Sequence, residues 1–139
     1  MRVYVATRFE DWHVAKDAAR LITDAGHACT SRWIGVARQI FCGNGGHKDD
    51  PVRRRVEAHN DLEDCSSSDA LLLLATRSGG CGMWTELGYF LAMQEHQLGT
   101  GSDPIRILCT GPARERCVFA ELRDRVEVYG SVEQAVAAL

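Results

Sequence analysis

Apolar residues along the chain alternate between two patterns. Short unbroken runs, Val3-Tyr4-Val5-Ala6 and Ala70-Leu-Leu-Leu-Leu-Ala75, have the length and composition of strands, and the second is apolar enough for a central strand covered on both faces. Between such runs, apolar positions recur at intervals of three and four. Val14, Ala18, Leu21, Ile22 and Ala25 predict a helix closed by Gly26, and Trp84, Leu87, Gly88, Leu91 and Ala92 predict another reaching about Gln97. Asp50-Pro51 has the form of a helix start, an acid at the cap followed by proline, and predicts a helix from about 51 to 65 that Ser66-Ser-Ser68 closes. Further along, Ile105 to Cys109 and Val126 to Tyr129 predict strands, Val118 to Leu122 a short helix, and Ser131 to Leu139 a terminal helix capped by Ser131. Ala28 to Ile34 predicts a second strand, and Gly35 to Asp50, with its Gly43-Asn-Gly-Gly46, a long mobile loop.

Strands alternating with helices imply an α/β fold: a three-layer, doubly wound, Rossmann-like or flavodoxin-like domain with a parallel sheet of about five strands. The 139 residues suit one domain, spanning 1–139, with no internal repeat. Ligands of such sheets bind beyond the carboxyl ends of the strands. That rule selects the loops Thr7 to Asp11, Thr76 to Met83 and Thr110 to Arg116. Neither GxGxxG nor GxxxxGK[ST] occurs, so the chain has no dinucleotide fingerprint and no P-loop.

A net charge of −3 argues against a binder of nucleic-acid polymers that relies on general basicity. The Arg53-Arg-Arg55 run is read first as a solvated helix face, with a phosphate or subunit contact as the competing role. No apolar stretch has the roughly 20 residues needed to span a bilayer, and no signal peptide precedes the first strand, so the expectation is a cytoplasmic protein without a membrane partner. Six widely spaced cysteines without a CxxC fit reduced thiols better than a disulfide framework. Cys42, His47, His59 and Cys65 match no common zinc spacing, so no metal and no other cofactor is expected.

The stretch Ser78-Gly-Gly-Cys-Gly-Met-Trp-Thr-Glu-Leu-Gly-Tyr-Phe90 carries the densest chemistry. Its glycines allow a tight turn or close approach of a ligand to the backbone. Glu86 is expected in the first turn of the following helix, where the dipole would favour the ionised carboxylate, either as a mere dipole partner or as a nucleophile. Asp61, in Ala58-His-Asn-Asp-Leu62, reads alone as a surface acid paired with Arg54 or Arg55, and Tyr4 as a core residue. Phe9, Trp12 and Trp33 could stack on a flat ligand or pack in the core.

Taken together, Val3-Tyr4-Val5-Ala6, Asn60-Asp61-Leu62, Ser68-Asp69-Ala70 and Gly82-Met-Trp-Thr-Glu86-Leu-Gly88-Tyr89 resemble, in order and separation, the nucleoside 2-deoxyribosyltransferase family. The resemblance runs from Arg2 to the C-terminus. It implies cleavage of an N-glycosidic bond, with Glu86 as the nucleophile at the anomeric carbon, Asp61 as the acid that protonates the departing base, and Tyr4 holding the Glu86 carboxylate through its hydroxyl. Further substrate contacts are expected at Phe9 and Trp12, which follow the first strand on the ligand side, at Asn60 of the matching Asn-Asp pair, and at Ser78, Gly80 and Gly82 of the glycine loop. The small-molecule partners would be a nucleoside or nucleotide and a free nucleobase, and the protein would be a homo-oligomer.

One position departs from the family. Many of its transferases carry an aspartate six residues before the nucleophile, at the sugar's hydroxyl end, and here that position is Gly80. The related deoxynucleoside-monophosphate N-glycosidases use small residues and backbone amides there for a 5'-phosphate, and a glycine loop at a helix N-terminus suits an anion. Three readings therefore stand: a transferase, an N-glycosidase of nucleoside 5'-monophosphates, and a non-catalytic module that binds a nucleotide-derived ligand.

Overall fold

The computed structural model describes residues 1–42, 50–77 and 80–139, with the side chains of 41 and 42 excepted. Five strands form one all-parallel sheet: β1 (Arg2–Ala6), β2 (Ala28–Cys29), β3 (Ala70–Leu74), β4 (Arg106–Thr110) and β5 (Glu127–Tyr129). Their spatial order is β2-β1-β3-β4-β5, so the winding reverses between β1 and β3. The helices are α1 (Trp12–Asp24), α2 (Trp33–Cys42), α3 (Pro51–Ser66), α4 (Cys81–Thr100) and α5 (Val132–Ala137). α1 and α5 pack on each other and on the sheet, α4 packs on β1, β3 and β4 with α3 beside it, and α2 touches both α1 and α3. The fold is the expected three-layer, doubly wound α/β domain. All five residues of β3 are buried, as a strand between two helical layers requires.

Several local features follow the sequence closely. Gly26 has φ +84 after α1, the Asp50 carboxylate accepts a bond from the Val52 amide at 2.9 Å, and Ser131 caps α5. The region after β2 does not. Only Ala28 and Cys29 pair with β1, whereas Trp33 and Ile34, expected in a strand, begin α2, and much of the expected loop is this helix. The reason lies on Val5. Its amide donates to Ser31 Oγ at 2.7 Å, and its carbonyl accepts from Ser31 Oγ at 3.1 Å and from Trp33 Nε1 at 2.9 Å. Side chains thus occupy the edge of β1 where β2 would have continued. Trp33, Ile34 and Ala37 are buried at helical spacing. Gly43 to Gly46, the centre of the expected loop, lie outside the described residues.

Candidate active site

At the point where the winding reverses, the segments leaving β1 and β3 part to form a cavity of 540 Å³. That volume suits a small organic ligand, and the position is the one where doubly wound sheets bind theirs. Thr7, Arg8, Phe9 and Glu10 line it from the β1 side and Gly80 to Met83 from the start of α4, with α2 and α3 forming the remaining wall. Two bonds hold the lips together: Thr7 Oγ1 donates to the Leu74 carbonyl at 2.8 Å, and Thr76 Oγ1 donates to the Asp11 carboxylate at 2.6 Å. The third loop expected here, Thr110 to Arg116, takes no part in the lining. Gly111, at φ +104, lies so close to Ala75 that a Cβ would collide with the Ala75 carbonyl oxygen, and the segment beyond it folds into a short 3-10 turn.

Each acid reaches the cavity from a different element. Glu86 shares a face of α4 with Met83 and Phe90, three and four residues away on either side. Beneath it, fully buried Tyr4 points from β1 toward α4 and donates its hydroxyl to Glu86 Oε1 at 2.7 Å. The Phe90 ring, 6.1 Å from the tyrosine ring, fixes the phenol from the side. Asp61 projects from α3 into the same cavity, and its Oδ1 is buried without a hydrogen-bond partner among the described residues.

Burial sets the protonation of this group. Glu86 is pushed up to about 7 mainly by loss of water, with the Asp61 charge adding to the rise and the Tyr4 hydrogen bond opposing it. Asp61 is pushed up to about 6, again mainly by burial, with Asp64 and Glu57 adding and Arg32 opposing. The Tyr4 phenol and the Cys65 thiol beside it are raised by burial and by the neighbouring acids, so both stay protonated. Two carboxyls that titrate near neutrality in one cavity can hold and pass a proton. The expected cause was different. α4 starts at Cys81, so Glu86 stands in the second turn rather than the first, beyond the reach of the helix-end amides, and its carboxylate is disfavoured by burial rather than favoured by the dipole.

The other expected contacts divide. Phe9, Gly80 and Gly82 line the cavity, with the Phe9 ring 6.2 Å from that of Trp33, which lines it too. Trp12 does not: it opens α1 and stands edge-on to His13. Asn60 is on α3, but only Asp61 of that pair lines the cavity, while the Asn60 carbonyl accepts a bond from Arg32. Ser78 lies outside the described residues, as does His47 of the residues weighed for zinc. Asp61 is not paired with Arg54 or Arg55; Arg53 and Arg54 line the cavity, and Arg53 lies 3.7 Å from Glu57 on its own helix.

Sequence reasoning missed Val36, Ile40 and Glu57 as cavity residues, and pointed to Arg8 and Met83 only as members of their loops. The helical spacing of Trp33, Val36, Ala37 and Ile40 was the available signal for the α2 wall. Arg8 is the least ordinary of these. Its Nε is buried without a partner among the described residues, one of its terminal nitrogens lies 3.5 Å from Glu10, and its Cγ occupies the space a side chain at Gly80 would need, 2.7 Å from the Cβ position.

No protein-family model matches the chain, and no curated protein does. Among solved structures it is similar to a 2-deoxyribosyltransferase from the psychrotolerant bacterium Bacillus psychrosaccharolyticus, with a TM-score of 0.67 over 96% of this chain and 89% of that one. The two share a fold. At 17% identity the likeness establishes that architecture, over nearly the full length of both chains. No described helix is long and apolar enough to cross a membrane.

Proposed function

We propose that this protein is a nucleoside 2-deoxyribosyltransferase-like enzyme that cleaves the N-glycosidic bond of 2'-deoxynucleosides and passes the sugar to another nucleobase. The observation that carries the reading is the Tyr4 hydroxyl donating to Glu86 at 2.7 Å at the end of a ligand-sized cavity that Asp61 also lines. The shared fold with a 2-deoxyribosyltransferase supports it. A carboxylate nucleophile needs one oxygen fixed and the other free to face the anomeric carbon, and the tyrosine bond does the first.

The reaction divides into two displacements. Ionised Glu86 attacks the anomeric carbon, the bond to the base breaks with its electron pair going to the base nitrogen, and protonated Asp61 supplies the proton that neutralises the leaving base. Asp61, now ionised, accepts a proton from the incoming base, whose nitrogen attacks the anomeric carbon and releases Glu86. Phe9 and Trp33 offer aromatic faces to the bases. The productive free enzyme has Glu86 ionised and Asp61 protonated, the minor arrangement of the pair's single proton when Glu86 holds it more tightly, and kcat/KM should follow a bell over pH with limbs near the two raised values of about 6 and about 7.

A specific observation favours a second reading, hydrolysis of nucleoside 5'-monophosphates. Gly80 caps α4 without a side-chain bond, the Arg8 stem packs against it, and the Arg8 Nε is unpartnered among the described residues, an arrangement suited to an anion. Deoxynucleosides and their monophosphates, each incubated with and without an acceptor base, separate the readings by chromatography. New nucleoside formed only with acceptor supports transfer, and free base released from monophosphates alone supports hydrolysis. No turnover of any substrate would leave the non-catalytic ligand-binding reading, and a Glu86→Ala protein as active as the parent would sink the assigned chemistry.

The proposal extends to a soluble cytoplasmic homo-oligomer. Val52 and Val56, 70% and 51% exposed on α3, stand one helical turn apart near the cavity-lining arginines and are suited to cover by another subunit. A monomer by light scattering at micromolar concentration would count against it.

A further inference from the structure

The turn between β2 and α2 carries an arginine that the chemistry above does not use. Arg32 makes four bonds to three groups at the end of α3. Its amide donates to Asp64 Oδ2 at 2.9 Å, its Nε donates to Asp64 Oδ1 at 2.6 Å, and its Nη2 reaches both the Glu63 carboxylate and the Asn60 carbonyl, the latter at 3.2 Å. Asp64 is 5% exposed, so this is an anchored pair rather than a floating surface contact. Asn60 and Glu63 flank Asp61 on the chain, and Asp64 follows it by three residues. The clamp therefore encloses the turn of helix that presents Asp61 to the cavity.

Resting on the reading of Asp61 as the acid, we propose that Arg32 is a positioning residue: it locks the Asn60 to Asp64 turn in place and sets its cationic head beside the Asp61 carboxyl. Around that carboxyl stand Glu57, Asp64 and Cys65 on its own helix, Glu86 on α4 and Tyr4 on β1, with Arg8, Arg53 and Arg54 farther along the same cavity wall. Within that acidic group Arg32 is the cation that holds Asp61 down against burial and its neighbours. Arg32 also neutralises Asp64, so its loss would leave the Asp64 charge acting on Asp61 without its counter-ion. A merely structural clamp would steady α3 without moving the titration.

The experiment compares Arg32→Gln with Arg32→Lys in the full chain. Carbon NMR of labelled aspartate carboxyls, with Asp61 identified by its loss in Asp61→Asn, gives its titration without any need for turnover. In Arg32→Gln the Asp61 titration should rise by about half a pH unit and the centre of the kcat/KM bell, the mean of its two limbs, by about half as much, and kcat should fall about tenfold from the loosened turn. Arg32→Lys keeps the charge but loses the fork, so the titration should stay near the parent's while kcat falls. An Asp61 titrating at the parent value in Arg32→Gln overturns the proposal, and so does parent-like kcat in Arg32→Lys. Should Arg32→Gln fail to fold, the kcat of Arg32→Lys decides alone. If no substrate turns over, the function above fails while the NMR titration still tests the placement of the charge.

Discussion

The two ends of the sheet treat their acids in opposite ways. At the amino end, Asp69 meets Arg2 across β1 and β3, and Glu127 meets Arg106 across β4 and β5 through two bonds of 2.9 and 2.6 Å, with Tyr129 donating to the same carboxylate. Backbone and side-chain bonds from Arg2 lower Asp69, and the Arg106 bond lowers Glu127, so both carboxylates favour the folded state when ionised. At the carboxyl end, Glu86 and Asp61 are raised mainly by burial, and the Arg32 charge that opposes the rise at Asp61 does not overcome it. The contrast separates acids that hold the fold from acids the fold holds at a cost, and the second kind marks a site where protonation changes are part of the work.

The largest effect should come from Glu86→Gln. If Glu86 is the nucleophile, activity on the parent's substrate should fall by about ten-thousand-fold or more, measured by product formation under single-turnover conditions. Stability should move the other way. The Glu86 carboxyl is raised from 4.5 to about 7, so the native state keeps a proton that the unfolded chain releases, and stability is lost as pH rises through that window. Above it, the amide should stabilise the protein by about 2–3 kcal/mol in denaturant unfolding, and by nearly nothing at about pH 4. An inactive variant with unchanged stability at high pH would break the contrast.

Tyr4→Phe tests how that cost is moderated. The hydroxyl bond opposes the rise of Glu86, so its removal should raise Glu86 further and move the centre of the pH–rate bell upward. The same change frees the carboxylate to rotate, and kcat should fall about ten- to a hundred-fold. A lower kcat with an unmoved bell would make the tyrosine a packing residue only.

How far the sequence revealed these two ends differs for a physical reason. β1, β3 and β4 were legible because a strand covered by helices must be apolar along its length, a property carried by adjacent residues. The edge at β2 was not, since Ser31 and Trp33 satisfy Val5 through tertiary bonds that no local pattern records, and Gly35, exposed on α2, has the local character of a loop residue. Tyr4, Asp61 and Glu86 were selected through a family resemblance, and the structure brings their side chains to one place. Their electrostatics could not be read in advance. The position of Glu86 relative to the helix start depended on where Gly80 turns the chain, and Asp61, which reads as a surface acid, is half-buried with α2 and α4 packed beside its helix.

At the amino end the expected changes are smaller and of opposite sign. Arg106 and Glu127 are each about a third exposed, so solvent screens them, and Glu127→Gln should cost about 1 kcal/mol at neutral pH. That contribution is present above the ordinary glutamate range and lost as pH falls through the lowered native value, so variant and parent should converge in acid. Turnover per folded molecule should not change. A Glu127→Gln protein that is stabilised at about pH 8, as Glu86→Gln should be, would erase the distinction between the two ends.

The smallest effect belongs to Asp69→Asn. The carboxylate accepts the Arg2 amide at 2.7 Å and the Arg2 guanidinium at 3.2 Å, but both side chains are largely in water. An asparagine oxygen can still accept the amide bond, so only the screened charge is lost, about 0.5 kcal/mol at low salt and less at high salt. Asp69 stands immediately before β3, at the opposite end of that strand from the cavity, so the salt-dependent loss should appear in urea unfolding with the pH–rate bell unmoved. A shifted bell would mean that the acids at the two ends are coupled through the sheet rather than set separately by their own surroundings.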